Sequence, residues 1–264
     1  PIPVQGEALT GPGAAVTMTS QTNTAANLQT LYSYMELAAS NKVDLIVFPE
    51  VALQGCPGWR ENNVAPSAQE MAYIRATAET IPGASTSNVV AKANELNLFV
   101  VFGMTETDQT NLYNANVFLG PDGVIGKHRK TYFVGNDALI WHVGAEYQVL
   151  DSPLGKVGLM ICAEMYSGWN YPGPVLAAQG ADLLVTSSAW WNSVAWAWDL
   201  MTVTNAVLAG RWHIVSEQVG TIGHAQCYGH SRAVDPLGRI VCDSGASQGM
   251  VSCATDRVTD IRDP

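Results

Sequence analysis

Positive charge is scarce in this chain: 13 Lys and Arg stand against 23 Asp and Glu, a net charge of −10 over 264 residues. A phosphate backbone is bound by a basic stripe, which so few cations hardly supply, so no nucleic-acid partner is expected. Charge of either sign is thin, at 14% against 47% hydrophobic residues, which leaves ample material for a buried core and argues against disorder. Long apolar runs are missing as well. The most apolar stretch, 183–210, is broken by Thr186, Ser187, Ser188, Asn192, Ser193, Asp199 and Asn205. It falls short of the roughly 18 apolar residues that mark a membrane span, and no membrane partner is expected.

Cysteine is present but not in a framework. Cys56, Cys162, Cys227, Cys242 and Cys253 are odd in number, lack metal-ligand spacing and are too sparse for a secreted disulfide scaffold. Free thiols in a reducing compartment are the expectation. Residues 1–13 have neither a positive n-region nor an apolar h-region, so a cytoplasmic location is expected. The histidines offer no paired spacing on one helix, and neither a metal nor another cofactor is expected. No Pro, Gly or Ser linker divides the chain, which reads as one domain over 1–264.

What is present is an alternation of buried strands and helices. Leu28, Leu31, Met35 and Ala38 recur at spacings of three or four, which puts an apolar face on a helix over 24–40. Residues 51–66 are rich in Gly, Pro and Asn and read as a loop, with Cys56 and Trp59 shaping its wall. Helices broken at Pro82-Gly83 follow over 67–98, then a strand over 98–105. Further strands are expected at 157–161, 183–186 and 214–219, with helices near 170–180 and 194–210. Pro-x-Gly turns at 121–123, 153–155 and 236–238 mark strand reversals. The fold class is therefore α/β, with mixed sheets whose faces helices cover.

Two of these strands end in chemistry. Gly158-Leu159-Met160-Ile161 runs into Cys162-Ala163-Glu164, and Asp44 to Phe48 runs into Pro49-Glu50. Open α/β sheets bind ligands at the carboxyl ends of strands, so a thiol and a carboxylate stand where chemistry is expected. The plain alternative for Cys162 is burial as a small hydrophobe. A third stretch, Gly126 to Phe133, concentrates cations as Lys127, His128, Arg129 and Lys130. Strand alternation places 128 and 130 on one face and 127 and 129 on the other. Cys227 lies close to His230 and raises a Cys-His reading, but residues so near in one strand point to opposite faces.

Glu50, Lys130 and Cys162, in that order and each in its own motif, resemble the catalytic set of the nitrilase superfamily of carbon-nitrogen hydrolases. Ala14 to Thr19 with Gln21 and Asn27 is similar to the family's opening, and Gly229 to Gly238 to its late hairpin with an Asp-Pro-x-Gly turn. The resemblance implies a four-layer αββα sandwich of two facing sheets. It implies that Glu50 is the base, Cys162 the nucleophile, and Lys130 with the Ala163 backbone N–H the holder of the oxyanion. The family's second glutamate corresponds to Asp137, one methylene shorter, with Glu146 as a competitor. Glu164, next to the nucleophile, is expected at the substrate along with Ala163. Trp169, Trp190 and Trp191 are expected to wall the pocket, with core packing as the alternative for the last two. The family's late Arg-Ala-x-Glu-Asn string is missing over 205–219, and Glu217 and Gln218 stand where an Asn is usual. A homodimer or larger assembly is implied, through a helix near Trp196 to Leu208.

The substrate implied is a small amide, cleaved to acid and ammonia. A nitrile is the first alternative. An N-carbamoyl compound is another, needing a carboxylate-binding cation for which Arg211 and Arg232 are candidates. A catalytically silent binding or scaffolding member is the alternative of a different class.

Overall fold

The computed structural model describes residues 12–166 and 171–254. In chain order the elements are β1 (Pro12–Thr17), α1 (Thr24–Ser40), β2 (Leu45–Val47), α2 (Ala68–Thr77), α3 (Ala84–Leu96), β3 (Phe99–Thr107), β4 (Leu112–Gly120), β5 (Gly123–Arg129), β6 (Gln148–Ser152) and β7 (Gly155–Ile161). There follow α4 (Pro172–Ala178), β8 (Leu183–Ser188), α5 (Trp196–Ala209), β9 (Trp212–Glu217), β10 (Val219–Ile222), β11 (Ala225–Tyr228), β12 (Arg232–Val234), β13 (Ile240–Asp243) and β14 (Gly249–Ala254).

Two six-stranded mixed sheets carry the molecule, in the orders β14-β1-β2-β3-β4-β5 and β13-β12-β9-β8-β7-β6. Each has a parallel centre, β1-β2-β3 or β7-β8-β9, and antiparallel flanks. The Pro-x-Gly turns close β4 to β5, β6 to β7 and β12 to β13, with Gly155 and Gly238 at φ 99° and 83°.

The burial pattern sets the layers. Alternate residues of the central strands, among them Leu45, Val47, Leu159, Val185 and Ile214, meet between the sheets. The other face of the first sheet packs through Ile46, Val100 and Phe102 on Leu31, Met35 and Ala38 of α1 and Val89 and Ala93 of α3. The other face of the second sheet packs through Met160, Leu184 and Val215 on Leu176 of α4 and Ala197 and Trp198 of α5. Helix, sheet, sheet and helix are thus four layers, as the resemblance implies.

Two expectations are corrected. Cys242 of β13 and Cys253 of β14 form a disulfide, with Cα atoms 6.5 Å apart, so only Cys56, Cys162 and Cys227 are free. Cysteine counting missed this because consecutive strands here belong to different sheets, whose edges meet. The strand expected over 214–219 ends at Glu217, because after the last rung, Gln218 N to Ser188 O, the Val219 N–H donates across to Met18 O and Val219 opens the β10-β11 hairpin.

Candidate active site

Glu50 reaches the interior because β2 is buried on both faces and the chain turns at its carboxyl end. Val51, directly after it, sits at φ 49° in the left-handed region. The turn is pinned from three sides. Gly103 N donates to Pro49 O at 3.1 Å, Glu50 N donates to Ser188 O at 3.3 Å, and Gln218 Nε2 donates to Glu50 O at 2.8 Å. The first contact requires glycine, since a Cβ at position 103 would lie 2.6 Å from Pro49 O. The second and third tie the ends of both sheets together at the carboxylate.

Around Lys130 the alternation beyond β5 separates two kinds of cation. Lys127 and Arg129 both bind Glu106, the latter through Nε at 2.7 Å. His128 and Lys130 are buried. Lys130 Nζ donates to Glu50 Oε1 at 2.8 Å and to Asp137 Oδ2 at 2.9 Å, with all three side chains out of solvent. Asn114 Nδ2 donates to the same Glu50 oxygen at 2.7 Å, and Trp59 Nε1 to Asp137 Oδ1 at 2.8 Å. Burial disfavours the ammonium, but Asp137 and Glu50 outweigh it and hold the Lys130 pKa well above the usual lysine value. Burial raises Glu50, with Asp137 adding to the rise and Lys130 opposing it.

The second oxygen of Glu50, Oε2, is buried and has no hydrogen-bond partner among the described residues. An acceptor oxygen kept dry and unpaired is equipped to take a proton.

Cys162 follows β7 at φ 48°, another left-handed residue, and opens a 3-10 turn over Cys162–Tyr166. Burial raises its pKa well above the usual thiol range, Glu50 adding and Lys130 subtracting, so the resting group is the neutral thiol. Both glutamate and lysine therefore act on this sulfur.

Glu164 does not reach the substrate position expected of it. Its carboxylate accepts from Ile161 N at 2.5 Å, from Thr131 N and Thr131 Oγ1 at 2.6 Å, and meets His128 Nε2 at 2.9 Å. Burial would raise its pKa, but His128 and the Thr131 bonds outweigh that and lower it. The side chain locks the turn after the thiol to the segment that carries Lys130. A carboxylate three residues beyond the strand's last N–H folds back onto it rather than forward into the pocket.

A cavity of about 160 Å³ opens beside the sulfur, walled by Cys162, Ala163, Ala189, Trp190, Trp191 and Trp196. Trp190 anchors its indole N–H on Val194 O at 2.8 Å, whereas the buried Trp191 indole N–H has no partner among the described residues. Trp169 lies outside the described residues. Asp137 stands at the start of a 3-10 turn, Asp137–Leu139, that carries its short side chain in to the lysine, while Glu146 is exposed and accepts from Gln148.

Asn114, Ser188 and Glu217 entered the site without being expected there, and Trp59 enters it as the donor to Asp137. Asn114 and Ser188 carry no local signal. The loop reading placed Trp59 in a wall, and Glu217 was visible only as a departure from the Asn of the family pattern. The Cys227-His230 pair is not brought together as a dyad: Cys227 is buried, and His230, at φ 63°, pairs with Asp243 Oδ1 at 2.9 Å. Among the described residues no group of three His, Cys, Asp or Glu side chains is arranged to hold a metal ion, and no helix is long and apolar enough to cross a membrane.

Comparison with known proteins follows the same lines. Nit3 of Saccharomyces cerevisiae, a member of branch 10 of the nitrilase superfamily, superposes with a TM-score of 0.81 over 93% of this chain and 90% of its own, at 23% identity. A mutant of the amidase from Nesterenkonia sp. AN1, in complex with butyramide, gives 0.78 over 93% and 90%, at 16% identity. In sequence, the Schizosaccharomyces pombe protein named "Probable nitrilase C965.09" is 28% identical over 239 residues, 87% of this chain and 82% of that one. The aliphatic nitrilase of Sinorhizobium fredii is 32% identical over 149 residues, and this match spans 53% of the chain but only 48% of the relative. The carbon-nitrogen hydrolase family model matches residues 14–262, nearly the whole length, and the chain belongs to that family.

Proposed function

We propose that this chain is a thiol amidase that cleaves a small, uncharged carboxamide to acid and ammonia through a thioester on Cys162. The observation that carries the reading is the unpaired, buried Glu50 Oε2 in a cluster whose other oxygen is held by Lys130 and Asn114. Glu50 takes the Cys162 proton as the sulfur attacks the amide carbon. Lys130 Nζ and the Ala163 backbone N–H hold the oxygen as it becomes negative, and preorganised donors of this kind are worth roughly 3 to 4 kcal/mol each. As the C–N bond breaks, the Glu50 proton passes to the leaving nitrogen and ammonia departs. Water, deprotonated by Glu50, then adds to the thioester carbon; the C–S bond breaks, and the thiol recovers its proton. Asp137 keeps Lys130 charged and in place throughout.

The pocket supports an uncharged acyl group, because its walls are aromatic and aliphatic. The cations considered for a carbamoyl acid are engaged elsewhere. Arg211 donates to Ala181 O and Gly210 O, and Arg232 pairs with Asp199 and Asp243. A nitrile is the second reading, favoured by the nitrilase names of several relatives; the thiolate would add to the C≡N carbon of the same site. Assembly through the exposed apolar face of α5 belongs to this proposal as well.

Ammonia release from a panel of aliphatic and aromatic amides, nitriles and N-carbamoyl acids decides among these. Small neutral amides are expected to turn over fastest, with Cys162→Ala inactive on all. Turnover confined to nitriles would transfer the assignment, and release from none would leave a binding role.

A further inference from the structure

The parallel register at the centre of the second sheet pairs Ile161 with Ser187 and Ser187 with Ser216. One step further along, Ser188 pairs with Glu217, and Cys162 directly follows Ile161, the last residue of the neighbouring strand. Cys162, Ser188 and Glu217 therefore stand in a row at the carboxyl ends of three adjacent strands, Ser188 and Glu217 as a ladder pair about 4.8 Å apart and Cys162 at the turn just past the third strand. All three are buried.

The Glu217 carboxyl is only half used. Oε1 accepts from Trp190 N, at the pocket wall, while Oε2 is buried without a partner. The Ser188 hydroxyl beside it is buried without a partner too, although the Ser188 carbonyl is fully engaged by Glu50 N and Gln218 N. One orphaned hydroxyl thus stands between a half-used carboxyl and the nucleophilic sulfur, and a hydroxyl can rotate to donate to one neighbour while accepting from the other.

We propose that Glu217 is a positioning residue for the nucleophile: its carboxyl donates to Ser188 Oγ, which turns the Ser188 proton onto the Cys162 sulfur and favours the thiolate as Glu50 takes the thiol proton. The proposal rests on reading Cys162 as the nucleophile. No proton passes along the row, which only fixes the direction of two hydrogen bonds while the thiol proton goes to Glu50. Burial, with Glu50 adding and the Ser188 and Trp190 bonds opposing, raises Glu217 well above the usual carboxylate range, which favours the neutral donor the row needs, and the Ser188 hydroxyl lowers Cys162. The titratable groups that act on the row are Glu50 from the end of β2, Lys130, which opposes burial at the Cys162 sulfur, and Cys227 from β11. Ionising Glu217 would draw the Ser188 proton back and leave the sulfur facing lone pairs.

The test follows the pH dependence of Cys162 alkylation by iodoacetamide in the full chain, mapped by peptide mass. Ser188→Ala is expected to slow labelling at pH 7 about tenfold and to move its midpoint up by about one pH unit, the scale of one hydrogen bond to a charged acceptor. Glu217→Leu is expected to do the same alone but to add less than about twofold in the Ser188→Ala background, as two members of one chain should. Glu217→Gln, whose amide can accept from Trp190 N and donate to Ser188, is expected to restore most of the rate lost in Glu217→Leu. An unshifted midpoint in Ser188→Ala overturns the proposal, as does a Glu217→Leu effect of equal size in both backgrounds. Alkylation needs no substrate, so a failed amide screen leaves these midpoints intact; a folded wild type in which Cys162 labels no faster than Cys56 and Cys227 removes the nucleophile reading and the proposal with it.

Discussion

Lys130 is the charge on which the site turns, and its two carboxylates are oriented differently. Glu50 keeps one oxygen free, whereas both oxygens of Asp137 are engaged, by Lys130 and Val134 N on one side and Trp59 on the other. Asp137 is therefore cast as a positioning group. Trp59→Phe keeps an aromatic ring, at smaller volume, and removes one hydrogen bond to a charged acceptor, a contact worth about 1.5 to 3 kcal/mol. It is expected to lower kcat at least about tenfold with little change in KM, measured by steady-state ammonia release. Unchanged kcat would show that Trp59 does not orient Asp137. At this scale the site was legible where a residue sits in its own motif, as Glu50, Lys130 and Cys162 do. It was illegible where a partner arrives from far along the chain: Asn114 is 64 residues from Glu50 and Trp59 is 78 from Asp137. Local pattern carries no record of such pairs.

The elements were read from hydrophobic period, which works wherever one face is buried. The α1 stripe and the central strands lie where Leu31, Met35, Ile46 and Leu159 put them. The pattern failed where hydrogen bonding rather than burial ends an element, as at Glu217. His213 shows how firmly β9 is held. Its Nε2 meets Thr186 Oγ1 of β8 at 2.7 Å and its Nδ1 meets Thr202 O of α5 at 3.0 Å, partners that satisfy both ring nitrogens of the neutral imidazole. Burial lowers its pKa from 6.5 to about 4, with the Thr202 bond opposing. The unfolded chain therefore binds more protons between these values, so this group's contribution is complete above pH 6.5 and is lost as pH falls toward 4. The loss amounts to about 3 kcal/mol. Urea unfolding at pH 7 and pH 4.5 should show the decline, and His213→Asn, which cannot take up the charge, should flatten it while lowering stability overall. An equally steep decline in the variant would assign the pH dependence to other groups.

At the scale of the molecule, the two sheets are registered at their ends by Glu50, Ser188 and Gln218, so the Glu50 carboxyl on one sheet and the Cys162 thiol on the other share a fixed frame. The outer face of α5 is less complete. Trp196 is 69% exposed and Leu200 54%, with Val207 and Leu208 alongside, more apolar surface than a solvated helix face normally shows. A self-complementary patch of this kind is expected to pair two copies. Sedimentation at micromolar concentration should show a species larger than 28.2 kDa, and Leu200→Glu with Leu208→Glu should dissociate it. A 28.2 kDa species alone in the wild type would remove the idea.

The central claim, that Glu50 activates Cys162 and then the hydrolytic water, is tested most directly by intact-mass spectrometry of Glu50→Gln mixed rapidly with a good amide substrate. The amide side chain keeps the shape and can still hydrogen-bond its neighbours, but it cannot accept the thiol proton. The account predicts a loss of at least about 100-fold in turnover, within the usual worth of acid-base catalysis, with no rapid mass gain on Cys162. Fast, stoichiometric acylation of Cys162 in this variant, or turnover close to wild type, would contradict it.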